Sequence, residues 1–184
     1  MTRSSADHSD FKADLDRLTA FLSASDRVVC LTGAGCSLAS GIPTYRTETG
    51  DWQGRNPINH QDFLESFGTR QRYWARSFMG WPLMNTAQPN PAHRALKELV
   101  ALGKIETLIT QNVDSLHEQA GLTDVQHLHG DLRQVTCMVC GASEPRTQLQ
   151  VRLAKLNTHL ELDGEIQPDG DAEIPSEVIR QFKI

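Results

Sequence analysis

Arg27–Gly35 reads RVVCLTGAG, and the rest of the chain is best understood outward from it. Four apolar residues and a threonine run without interruption into two glycines spaced one apart, the pattern of a buried parallel strand that ends in a tight turn. A second such run is KIETLITQNVD, residues 104–114, and a shorter third is VQHLHG, residues 125–130. Between them lie helical patterns. NPAHRALKELVALG places Asn90 at a cap, Pro91 at the first helical position and Gly103 at the stop. HQDFLESFGTRQRYWARSFMGWP, residues 60–82, is aromatic-rich and expected to be helical, and Phe11, Leu15, Leu18 and Leu22 recur at helical spacing behind a capping Asp10. Strand, helix and strand in alternation predict an α/β fold, with a Rossmann-like parallel sheet and helices on both faces. TYRTETGDWQGRNPINH, residues 44–60, is expected to be a long ordered loop of functional importance.

The chain has 184 residues, a net charge of −5 and four cysteines. Its basic residues are scattered, so no nucleic-acid footprint is expected. No apolar run reaches bilayer length, and the N-terminus MTRSSADHSDFKADLD has neither the apolar core of a secretory signal nor the acid-poor character of an organellar presequence. A cytoplasmic protein bound to neither membrane nor nucleic acid is the expectation. VTCMVCG, residues 135–141, carries Cys137 and Cys140 at the spacing of half a zinc site, and a structural zinc needs four ligands. Cys30, within the first strand, reads as a small core residue.

A Gly-x-Gly turn after a strand lets the backbone approach a pyrophosphate, whose charge is met by amides and a helix N-terminus. Alone it is weak evidence, because the third glycine is Gly41 and position 53 holds Gln53 rather than an acid. Asn and Asp following a strand, as in QNVD, are equally common as helix caps. His129 and His127 share a face of an ideal strand, so periodicity does not choose between them as a proton acceptor.

GAGCSLASGIPTYR, TQNVDSLHEQAG, HLHGDL and CMVCG, in this order, resemble the sirtuins, the NAD-dependent protein deacylases. RQRYWARSFMGWP, QPNPAH and the tail LQVRLAKLN…PDGD are similar to the class II branch that includes the mitochondrial lipoamidase. The resemblance implies that Gly33, Ala34, Gly35, Ser37, Pro43, Thr44, Tyr45 and Arg46 contact NAD, Arg46 through phosphate and ribose. Thr44 and Tyr45 stand where many members have Asp-Phe. It implies that Gln111, Asn112 and Asp114 hold the nicotinamide ribose and carboxamide, and that His129, immediately before glycine, is the base. Asn112 and His129 are therefore the expected catalytic residues. Cys36 is not expected to be a nucleophile, and His117 is expected on a helix surface or in packing.

In the family a second Cys-x-x-Cys completes one structural zinc, and its position falls beyond Ile184. The chain thus reads as a truncated sirtuin: residues 1–134 the first part of the NAD-binding domain, residues 135–184 a partial zinc module with a class II insertion at ELDGEIQPDGDAEIP. The implied reaction takes acyl groups from protein lysines and yields nicotinamide and O-acyl-ADP-ribose. Alternatives are ADP-ribosyl transfer or lipoamidase activity on the same scaffold, or an inactive fragment. With two thiolates only, zinc should bind weakly, and residues 136–184 are expected to be poorly ordered.

Overall fold

The computed structural model describes residues 5–44, 49–51, 58–160, 165–166 and 172–184. Its centre is a parallel sheet of β1 (Val28–Thr32), β2 (Ile105–Thr110) and β3 (Val125–His127), in the order β1-β2-β3. Thr32 stands opposite Thr110, and Thr110 opposite His127, so the three strand ends lie level. That alignment places all three following loops at one edge, where ligands of open α/β sheets bind.

The expected helix α4 (Pro91–Ala101) is present with its predicted ends. Asn90 caps it through Ala92 N–H at 2.8 Å, and the His93 ring accepts the Asn90 N–H in return. This helix packs on β2 and on α5 (Leu116–Gln119). Two further helices, α2 (His60–Glu65) and α3 (Phe67–Thr86), fill the aromatic-rich segment. They are separated by Ser66, which ends the first and caps the second through Thr69 N–H.

Several expectations are corrected. The N-terminal helix α1 (Ser5–Ala24) starts five residues before Asp10, which therefore lies inside it rather than at its cap. Its apolar residues Phe11, Leu15, Leu18 and Phe21 are exposed. On β1, Val28 and Thr32 are buried, but Val29 and Leu31 are 61% and 59% exposed. Among the described residues, then, the α/β sheet is covered on one face at β1, and the alternation of burial is that of a half-covered strand. The turn after β1 opens a 3-10 helix, Ala34–Ser40, rather than an α-helix. It stops at Gly41, whose φ of 83° is one that L-residues rarely adopt. Most of the expected long loop, residues 45–48 and 52–57, lies outside the described residues.

The described part of residues 136–184 carries a packed core. The antiparallel pair β4 (Gln134–Thr136) and β5 (Ser143–Pro145) leads into α6 (Arg146–Leu156). A second pair, β6 (Glu165–Ile166) and β7 (Ala172–Glu173), precedes α7 (Ser176–Gln181). Leu149, Leu153, Ala172, Ile174 and Phe182 are buried with Ala75 of α3, and Phe78 and Leu160 pack against them. Burying each large apolar side chain is worth roughly 1.5–3 kcal/mol, which does not depend on zinc. The packing of α3 on α6 and α7 also crosses the division at 134/135 drawn from the sequence. Within the expected insertion, residues 161–164 and 167–171 lie outside the described residues.

Beneath this core Arg146 is 2% exposed. Its guanidinium lies 4.8 Å from the Trp81 ring centroid and 5.7 Å from that of Trp74, and donates to Ser77 O, Ser77 Oγ and Gln150 Oε1.

Candidate functional site

The loops at the C-terminal edge of the sheet enclose a cleft of about 570 Å³. It is lined by Ala34, Ser37, Ile42, Pro43, Thr44, Met84, Gln111, Asn112, Val113, Asp114 and His129. Eight of the residues singled out in the sequence thus meet around one space. Gly33 contributes its carbonyl beneath them, while Tyr45 and Arg46 lie outside the described residues. Among the described residues a Cβ built on Gly35 would meet open space, with no atom within 4 Å.

The two loops are sewn together by side chains. Asn112 Nδ2 donates to Gly33 O at 3.0 Å and to Ser37 Oγ at 3.1 Å. Both amide hydrogens being committed, Oδ1 is the polar function Asn112 retains for a ligand. The Ser37 hydroxyl donates to Asp114 Oδ2 at 2.6 Å, and Asp114 Oδ1 accepts Leu116 N–H at 2.9 Å. Asp114 therefore anchors the glycine turn and holds the first N–H of α5 at once. His129 is exposed at the cleft, with Nδ1 3.1 Å from Gln111 O. A carbonyl only accepts, so Nδ1 carries the proton and the lone pair of the neutral ring is on Nε2. His127 differs in kind: its Nε2 is paired with Glu118 and its Nδ1 is buried without a partner. The strand ends at His127, so the two histidines do not share a strand face.

Other residues at the site were missed. Thr32 Oγ1 bonds Thr110 Oγ1 at 2.9 Å and His117 Nε2 at 2.8 Å, and Thr110 Oγ1 accepts Asn112 N–H at 3.0 Å. His117 is 1% exposed, a packing residue and not a surface one. Ser115 is held at φ 59° with its hydroxyl on Asp131 Oδ1 at 2.6 Å. Burial pushes the Asp131 carboxyl up, but its bonds from Arg133 and Ser115 outweigh this and hold it below the usual carboxylate range. The aspartate after LHG was the available signal for this anchor.

Burial also lowers the pKa of His93 and of His117, and each is opposed by Asp114. Their effect on stability has a definite sign. Below the ~6.5 of an unfolded histidine the unfolded chain takes up protons that the folded one refuses, so stability falls as pH falls. Each such histidine contributes a slope of up to ~1.4 kcal/mol per pH unit until its folded pKa is reached. Urea unfolding between pH 7.5 and 5 should show this loss, and His117→Gln should flatten it.

Cys137 and Cys140 occupy a tight turn closed by Cys137 N–H on Ala142 O at 2.8 Å and Gly141 N–H on Cys137 O at 2.9 Å, with Gly141 at φ 73°. Backbone N–H groups of Cys140 and Val139 hold the Cys137 thiol below its ordinary pKa, which suits a thiolate ligand. The turn fits two corners of a zinc tetrahedron. Among the described residues no third Cys, His, Asp or Glu joins them.

A parallel sheet with a cleft at its carboxyl edge is an α/β fold of the Rossmann-like class, whose ligands bind at that edge, and comparison gives the family. The model of the Sir2 family matches residues 33–169, and the chain belongs to that family. It is 47% identical over 165 residues to NAD-dependent protein deacetylase 2 of Bradyrhizobium diazoefficiens, covering 89% of this chain and 60% of that one. It is 44% identical over 171 residues to the human mitochondrial NAD-dependent protein lipoamidase sirtuin-4, covering 91% and 54%. Among solved structures, a Sir2 protein with deacetylated p53 peptide and 3′-O-acetyl-ADP-ribose matches with TM-score 0.67 and 32% identity, over 76% of this chain and 56% of that one. A Sir2 homologue bound to NAD matches with TM-score 0.57 and 40% identity, over 71% and 51%. The chain thus spans little more than half the length of these relatives.

Proposed function

We propose that this chain carries the nicotinamide-ribose half of an NAD-dependent protein-lysine deacylase site. The observation that carries the reading is His129, fixed by Gln111 O as the tautomer with its lone pair on Nε2, beside Asn112 and Asp114 in one cleft. NAD, consumed as a substrate, supplies a ribose carbon that loses nicotinamide and a ribose hydroxyl that ends by carrying the acyl group. His129 Nε2 takes the proton from that hydroxyl and later returns it. Asn112 Oδ1 and Gln111 orient the ribose and carboxamide, and Asp114 holds the glycine turn in register through Ser37. The open side of Gly35 leaves room for a phosphate against the backbone of the turn. Tyr45 and Arg46 are assigned to the same ligand by family resemblance alone.

Zinc at Cys137 and Cys140 would be structural, since neither cysteine lines the cleft. The partners in this reading are acylated-lysine proteins, with no nucleic acid and no membrane. No helix among the described residues is long and apolar enough to cross a membrane. The bacterial relatives support a cytoplasmic setting, while the sirtuin-4 relatives are mitochondrial. Deacetylase and lipoamidase relatives match almost equally well, so the acyl class is best decided by a peptide panel from acetyl to lipoyl.

The test has two arms. NMR titration of the 184-residue chain with NAD should perturb Asn112, Asp114 and His129 and leave α6 unchanged. A fusion adding the part of the Bradyrhizobium relative that this chain does not match should form O-acyl-ADP-ribose from an acyl-lysine peptide, detected by mass spectrometry. ADP-ribose recovered on protein or water instead of an acyl ester would favour the transferase alternative.

A further inference from the structure

Outside the residues that line the cleft, three potential ligands meet that the proposed chemistry leaves unused. Cys36 Sγ and one ring nitrogen each of His93 and His117 all lie within 4.8 Å of one another. The histidines are 0% and 1% exposed, and their rings are 4.9 Å apart between centroids. Cys36 is half-buried, with Sγ 3.9 Å from His93 Nε2. His117 spends Nε2 on Thr32, and its Nδ1 is buried with no hydrogen-bond partner. A buried lone pair beside an imidazole and a thiol is an arrangement that a soft cation would satisfy.

We propose that Cys36, His93 and His117 form a second metal site, separate from Cys137 and Cys140, selective for a thiophilic d10 cation such as Zn²⁺ or Cu⁺. One thiolate with two imidazoles suits such ions, whereas Mg²⁺ and Ca²⁺ require oxygen donors. With bonds of ~2.0 Å to nitrogen and ~2.3 Å to sulfur, tetrahedral ligand atoms stand roughly 3.3–3.6 Å apart, so Cys36 and His93 at 3.9 Å must close by a few tenths of an ångström, and a pair at the 4.8 Å limit by about 1.3 Å. Cys36 gives up its thiol proton to solvent on binding. His93 Nδ1 now accepts Asn90 N–H at 3.3 Å, so coordination through Nε2 shifts the ring proton to Nδ1 and releases that amide. The stronger cap, Ala92 N–H on Asn90 Oδ1, is untouched. The metal would therefore tie the glycine turn, α4 and α5 together, one residue from Ser37.

The site requires no NAD chemistry, so its test is independent of the proposed function. In the full chain with Cys137→Ser and Cys140→Ser, titration with Co²⁺ as a spectroscopic probe should produce a thiolate-to-cobalt charge-transfer band at one equivalent. Zn²⁺ should displace it and raise the thermal midpoint. Cu⁺, added under reducing conditions, is the second arm and tests which ion binds more tightly. Adding Cys36→Ser should remove the band and weaken Zn²⁺ at least tenfold. His117→Gln should weaken it similarly, with circular dichroism confirming that each variant is folded. In ¹⁵N spectra the Asn90 amide should shift on loading. The proposal is overturned if the Cys137/Cys140 double variant binds no metal, or if it binds equally well with Cys36→Ser.

Discussion

Replacing His129 by alanine in the fusion should lower acyl transfer by about a hundredfold to ten-thousandfold, the range of a lost general acid–base, while NAD affinity stays within about twofold. The asymmetry follows from where the ring sits. Its hydrogen bond among the described residues is to Gln111 O, and it is exposed, so its removal opens no buried cavity there and frees that carbonyl to water. His127→Ala should behave in the opposite way. Its ring is partly buried against Glu118, so the loss is of stability, with turnover per folded molecule retained. Steady-state rates normalised to folded protein separate the two. If turnover vanishes only in the His127 variant, the base has been misassigned.

The second large effect is expected at Arg146. Arg146→Ala should destabilise the chain by about 3 kcal/mol, from roughly 2 kcal/mol of desolvated cation–π contact with Trp74 and Trp81 and about 1 kcal/mol of hydrogen bonding to Ser77 and Gln150. Arg146→Lys should recover less than half of that, because an ammonium keeps the charge but lacks the planar face set over an indole and does not fork to two acceptors. Urea denaturation followed by tryptophan fluorescence reads both variants. Equal stability of the lysine variant and the parent would mean that charge alone accounts for the contact.

How far each feature could be read in advance depended on how local its cause was. The α4 cap and stop were legible because Asn90, Pro91 and Gly103 act within their own turn. The cleft was legible because its loops each follow a strand whose end is marked in the sequence, and parallel pairing then sets them level. Arg146 was not, since Trp74 and Trp81 reach it from a helix some seventy residues earlier. The same holds for His117 and Thr32, 85 residues apart. Helical spacing of Phe11, Leu15 and Leu18 correctly announced α1 but said nothing of what lies against it, and the stripe is exposed. The core of residues 136–184 was not legible either, because the contribution of α3 to it comes from outside the segment.

Among the described residues β1, the strand that launches the glycine turn, pairs on one side only and presents Val29 and Leu31 on an open face. For the purified protein this governs colloidal behaviour. Copies repel through a net charge of −5, but that repulsion reaches only about 8 Å at physiological ionic strength and is shorter still in concentrated salt. Attraction between open apolar edges is not screened. Adding sodium chloride, the usual remedy for a cloudy preparation, should therefore promote clouding of this one, and dilute buffer well above its pI of about 5.8 is the medium in which it keeps.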